Sequence, residues 1–314
     1  MTKHRKLVPA AAAAALLVAL PALAQDPASC ATVRLSDPGW TDITATNGVA
    51  TALLNGLGYT PDVKTLSVPI GYEALKKGET DVFLGNWMPA QQAFRDDLDA
   101  SGVTEELVQN LTGAKFTLAV TDAIKDLPIK DFADLDAHKD TFQGKIYGIE
   151  PGAPANQSIA AMIEADKFGL GDWELVESSE QGMLAQVQRN DGAGTPSVFL
   201  AWAPHPMNIK LNVIYLSGGD AEFGPDYGGA TVHTIARKEW AATCPNVARL
   251  FTQLVFDVDT ENALMGNILD DGAAPEDAAK AWIAANPEAA GKWLDGVTTL
   301  DGQPGADAVK AYVN

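Results

Sequence analysis

From Val33 onward, short apolar runs alternate with amphipathic stretches, and this alternation most narrows what the chain can become. It is the signature of a sheet with parallel strands and helices on its faces. Residues 33–36 read as a strand, 43–57 as a helix closed by Gly58, 63–68 as a strand and 72–77 as a helix stopped by Gly78. Residues 82–84 are then a strand running into a helix over about 89–98. A strand over 116–120 follows without a tight turn, and after Thr121 the pattern restarts. Strands are expected at 146–149, 173–176 and 198–200, and helices at 155–168 and 183–188. Residues 213–216 and the glycine-rich 218–229 look like a return crossing to a strand over 231–235. The remainder reads as helical, including 247–256, 263–269 and 275–285. Two crossings place a second lobe inside a first. The expected division is 25–115 plus 220–314 for lobe 1 and 116–219 for lobe 2.

Within this pattern one arrangement recurs. Asp81-Val82-Phe83-Leu84-Gly85-Asn86-Trp87-Met88-Pro89 is an apolar strand that stops at a tryptophan and a proline, and Ser197 to Asn208 repeats it around Trp202. Trp40, after the turn-forming Pro38-Gly39, is a third case. A lone strand-end tryptophan is usually core packing. Repetition at strand exits, where open α/β sheets bind ligands, favours a cleft lined by tryptophans.

The chain's 314 residues, 46% of them hydrophobic, suffice for one large or two moderate domains. Lys3, Arg5 and Lys6, an apolar run over 7–20 and Ala22-Leu23-Ala24 predict a secretory signal peptide over 1–24, cleaved before Gln25. The apolar run is short and proline-flanked, which argues against the competing reading of a membrane anchor. An exported, periplasmic protein is expected. In an oxidising compartment the only two cysteines, Cys30 and Cys244, most simply form one disulfide, the alternative being two buried thiols. Such a bridge would bring the C-terminal third back onto the N-terminal part. The formal charge of -19 argues against nucleic acid or an anionic membrane as partner.

Signatures of catalysis are thin: the chain has no G-x-S-x-G elbow, H-E-x-x-H, C-x-x-C, P-loop or G-x-G-x-x-G. Neither a metal site nor a cofactor is expected. His138, His205 and His233 are isolated, and His205, beside Trp202, is the one weighed as a ligand neighbour. What remains is aromatic: Trp40, Trp87, Trp202 and Phe116. Aromatic faces hold cations without hydrogen-bond donors, each desolvated face contributing ~1–2 kcal/mol, so several could support micromolar binding. Asp42 could add a carboxylate or cap a helix starting at Ile43, and the two roles are compatible.

At these residues the chain resembles the periplasmic substrate-binding proteins of ABC transporters for glycine betaine and choline, most closely the choline-binding branch. Asp37 to Asp42, Leu84 to Pro89, Gly148-Ile149-Glu150-Pro151-Gly152 and Trp202 to Asn208 carry the resemblance. It implies an α/β, two-lobed, type II periplasmic binding protein with its ligand cleft between the lobes. It also implies a box of Trp40, Trp87, Phe116 and Trp202 for the trimethylammonium group, with Asp42 meeting the positive end or the hydroxyl of choline. Choline binders carry tyrosine where Phe116 stands, and a polar side chain just after Glu-Pro-Gly where Ala153 and Pro154 stand here. Asn156 is then the nearest amide. The expected partners are a quaternary ammonium ligand and a membrane permease, the protein itself acting as a monomer. Glycine betaine or another onium is the alternative ligand. An exported choline-ester hydrolase would need a nucleophile elbow, and an adhesin or lectin would use its tryptophans on an open face.

Overall fold

The computed structural model describes residues 25–314, so the expected signal peptide lies outside the described residues. In chain order the first half comprises β1 (Thr32–Asp37), α1 (Thr41–Gly56), β2 (Thr60–Thr65), α2 (Val68–Lys77), β3 (Val82–Met88), α3 (Gln92–Ser101) and β4 (Thr104–Val120). Next come β5 (Lys145–Tyr147), α4 (Pro154–Glu164), β6 (Glu174–Val176), α5 (Glu180–Gly192) and β7 (Val198–Ala203). Short turns α6 (Met207–Lys210), α7 (Asp220–Phe223) and α8 (Pro225–Gly228) flank β8 (Ile214–Tyr215) and lead to β9 (Gly229–Arg237). Helices α9 (Lys238–Thr243), α10 (Pro245–Gln253), α11 (Val258–Leu269), α12 (Pro275–Ala285), α13 (Pro287–Trp293) and α14 (Gly305–Val313) complete the chain.

The strands form one path, β2-β1-β3-β9-β4-β7-β5-β6, with β8 beside β4. It is mixed rather than parallel throughout. β1 is parallel to β2 and β3, and β5 to β6 and β7, whereas β9 and β4 pair antiparallel with their neighbours. Antiparallel pairs arise where the chain passes between the two α/β halves. β4 does so by its length: Thr104 to Lys115 pair with β9, and Lys115 to Val120 pair with β7. The sequence reading found only its apolar end, because Glu105, Glu106, Gln109 and Asn110 interrupt the apolar run. Two of them find tertiary partners. Asn110 Nδ2 donates to Leu84 O at 2.8 Å and to Thr234 Oγ1 at 3.0 Å, and Glu106 pairs with Arg95 at 3.0 Å.

α1 is buried almost all round, against α11, α12 and α14, so its apolar periodicity is weak. Gly48 permits that closeness, since a Cβ there would lie 2.5 Å from the Pro275 carbonyl oxygen. The helix begins at Thr41, not Ile43, with Trp40 at its N-cap position and no side chain of its own capping it. Asp42 is therefore inside the first turn and is not the cap. Cys30 and Cys244 form the expected disulfide, tying the first strand region to the start of α10.

Candidate functional site

β3 is buried along nearly its whole length, as suits an interior strand between β1 and β9. Its register with β9 shifts between Phe83 and Asn86. Such a bulge turns the side chains that follow it. Gly85 sits in this bulge, where a Cβ would come 2.9 Å from Ile43, and its carbonyl accepts from Gln91 Nε2 at 2.9 Å. The strand then runs on through Trp87 instead of ending at Leu84, and it delivers the indole to the cleft.

There a cavity of about 440 Å³, counting its mouth, is walled by Trp40, Asp42, Trp87, Ala90 and Gln91 from one half. Phe116, Ile149, Pro154, Ala155, Leu200 and Trp202 close it from the other. Phe116 and Trp202 are direct cross-strand partners on β4 and β7, so their rings leave the same face of the sheet. Trp87 meets Phe116 edge-on, with centroids 6.2 Å apart and planes at 85°, and Phe223 backs Phe116 at 5.5 Å. All four box rings are at most 8% exposed.

The polar atoms of the wall are largely committed. Trp40 Nε1 donates to both carboxylate oxygens of Glu150, at 3.1 and 3.0 Å. Trp87 Nε1 donates to Asp42 Oδ2 at 3.0 Å. Gln91 accepts from the Tyr72 hydroxyl at 2.6 Å while donating to Gly85. Asp42 Oδ1, by contrast, is buried with no hydrogen-bond partner among the described residues. An unpaired acceptor beside aromatic faces is a receptor for positive charge. Burial, and then the charge of Glu180, pushes the Asp42 carboxyl up to about 8, although the Trp87 indole pulls it down. Burial also raises Glu150, with Glu180 adding to it and the Trp40 bond opposing. Glu261 of α11 is pushed well above the carboxylate range by burial, then by Asp42 and Asp257.

Of the seven ligand residues expected from sequence, the structure brings Trp40, Asp42, Trp87, Phe116 and Trp202 around one cavity. Asn156 and His205 stand off it. The Asn156 amide is engaged by Ile149 N–H at 3.0 Å, the Ile149 carbonyl at 2.9 Å and Glu177 at 2.9 Å, so it folds the loop after β5. His205 accepts from Met207 N–H at Nδ1, 2.9 Å, and faces Glu180 through Nε2 at 3.2 Å. Sequence reasoning missed Glu180, and it quoted Glu150 in a motif without giving it a task. Glu180 opens α5, where a carboxylate looks like an ordinary partner of the helix dipole. Nothing local marks it. Among the described residues, no three or more His, Cys, Asp or Glu side chains cluster as metal ligands would.

Comparison with known proteins follows the same line. The family described as the substrate binding domain of ABC-type glycine betaine transport systems matches residues 31–285. A solved ABC-transporter choline binding protein, in complex with choline, is 53% identical and superposes with a TM-score of 0.90, covering 92% of this chain and 100% of its own. The glycine betaine/carnitine transport binding protein GbuC of Listeria monocytogenes is 28% identical over 205 residues, covering 65% of this chain and 63% of its own. A glycine betaine/proline betaine-binding periplasmic protein of Escherichia coli is 23% identical, covering 77% of this chain and 82% of its own.

Proposed function

The chain belongs to the family of substrate-binding domains of ABC-type glycine betaine transport systems, and on that premise we propose that it is an extracytoplasmic receptor that carries choline to a membrane permease. Its fold is the two-lobed type II binding-protein fold, with the cleft between the lobes. The observation that carries the ligand reading is Asp42 Oδ1, an unpaired buried acceptor inside a box of Trp40, Trp87, Phe116 and Trp202. The rings hold the methylated ammonium by their faces, and the carboxylate balances its charge or accepts the hydroxyl.

A zwitterion fits this wall less well. No lysine, arginine or histidine lines it, and the indole N–H groups of Trp40 and Trp87 already serve carboxylates. One feature favours glycine betaine as a second reading. α4 begins at the wall with Pro154 and no side-chain cap, which leaves the first-turn amide of Ala155 to receive an anion. Calorimetry with choline, glycine betaine, trimethylamine N-oxide, carnitine and a sulfonium analogue ranks the two readings. Choline binding tightest, and remaining intact by NMR after prolonged incubation, is the expected result. Betaine binding tighter would reverse the ligand assignment, and hydrolysis of a choline ester, incubated and followed by NMR in the same way, would replace the receptor with a hydrolase.

The proposal includes a leader cleaved before Gln25, periplasmic residence and a monomer that docks on the permease. The lobes divide near residues 115 and 220, where β4 enters the second half and α7 precedes the return strand β9.

A further inference from the structure

α1 approaches the cavity without a cap of its own, yet its first turn is not left open. Thr41 N–H donates to Glu180 Oε2 at 2.9 Å, and the Thr41 hydroxyl donates to Oε1 of the same carboxylate. Glu180 stands 139 residues away at the start of α5, in the other lobe. Its third donor is His205: because Nδ1 of that ring accepts from Met207 N–H, the ring proton is on Nε2 and points to Oε1 at 3.2 Å. Glu180 is 1% exposed and does not line the cavity. A buried carboxylate is held when donors surround it, and here the donors come from both sides of the cleft.

The neighbours of these donors are the walls of the site. Thr41 lies between Trp40 and Asp42, which both face the cavity, and the His205 ring meets Trp202 edge-on at 5.1 Å. We propose that Glu180 is a positioning residue that clasps the first lobe onto the second by capping α1 across the cleft, so fixing Trp40, Asp42 and Trp202 as the closed walls around the ligand. The clasp rests on the reading of this cleft as the onium site. When the lobes part, both Thr41 donors leave the carboxylate, whereas the His205 bond, internal to the second lobe, stays. Glu180 therefore acts on closure and ligand residence, not on recognition of the head group. The Trp40 bond to Glu150 crosses the same gap and restrains the same corner.

The test compares wild type, Thr41→Val, Glu180→Gln and the double variant, with choline as probe. Affinity is read by calorimetry, release by stopped-flow tryptophan fluorescence, and Tm in the absence of ligand. Thr41→Val keeps the β-branched shape and removes only the hydroxyl arm, so it serves even where Glu180→Gln folds poorly. Each single variant is expected to release choline at least ~5-fold faster, because such contacts act mainly on dissociation. The double variant should be little worse than the worse single one, the mark of a shared contact. Unliganded Tm should stay within about 2 °C of wild type for Thr41→Val, a shift small enough to exclude a general loss of stability. Wild-type release rates in Thr41→Val, or an unliganded Tm that falls in step with affinity, would overturn the clasp while leaving choline binding in place. Failure of the wild-type protein to bind any onium would instead remove the functional reading, and the clasp with it.

Discussion

Trp87 does two things at once: its face closes the cavity and its N–H holds Asp42. Trp87→Ala should therefore weaken choline binding at least ~10-fold, and Trp202→Ala similarly, because each removes a cation-facing ring. Calorimetry on variants of wild-type circular dichroism checks this, and undiminished affinity would return that tryptophan to the core. Asp42 predicts a pH dependence. With burial and Glu180 pushing it up to about 8, its carboxyl is largely protonated in the empty site at neutral pH, and a bound cation favours the ionised form. Choline affinity should rise as pH goes from 6 to 9, with proton release visible as a buffer-dependent heat. Stability runs the other way. A carboxyl raised in the folded state contributes stability that is full at acid pH and is lost as pH rises through about 8. Asp42→Asn should thus raise the unliganded Tm at pH 9, with the gain shrinking toward pH 4, while costing choline more affinity than glycine betaine. Equal losses for both ligands would show that the Asp42 charge takes no part in selection.

At the scale of elements, α1 is the piece on which both lobes act. Its far side depends on Gly48, and a methyl group there would press on the Pro275 carbonyl of α12. Gly48→Ala should destabilise the fold by roughly 1–3 kcal/mol, as overpacking does, measurable by urea denaturation. Gly48 lies roughly 9 Å along the helix from Asp42, so choline affinity should change little if the variant folds. The second sensitive element is the crossing of β4 by the turn before β9. Gly228 has φ +73° there, and a Cβ would run into the Phe116 carbonyl. A glycine is thus what allows the return chain to lie against the strand that carries the fourth ring of the box.

For the whole molecule, the Cys30–Cys244 bridge closes a loop of 214 residues and joins the chain's beginning to its C-terminal helices. Reduction should lower stability by roughly 2–4 kcal/mol in the chain-entropy account, read as a shifted urea midpoint with and without reductant. Two free thiols by mass spectrometry of exported protein would remove the premise. That pairing, the helix–strand alternation and the aromatic members of the cavity wall were legible in the residues alone. Apolar periodicity, turn glycines and tryptophans at strand exits are local signals, written within a few residues of where they act. Three things were not legible: the full reach of β4, the antiparallel crossing strands, and Glu180 with Glu150 as partners of Thr41 and Trp40. Each depends on groups far apart in the chain. The polar stretch of β4 becomes strand only when its backbone pairs with β9 and the Asn110 amide nitrogen reaches its distant acceptors, and a carboxylate opening α5 becomes the cap of α1 only once the two lobes meet. Hydrogen bonds across such distances leave no period in the sequence, because the spacing that creates them exists in space and not along the chain.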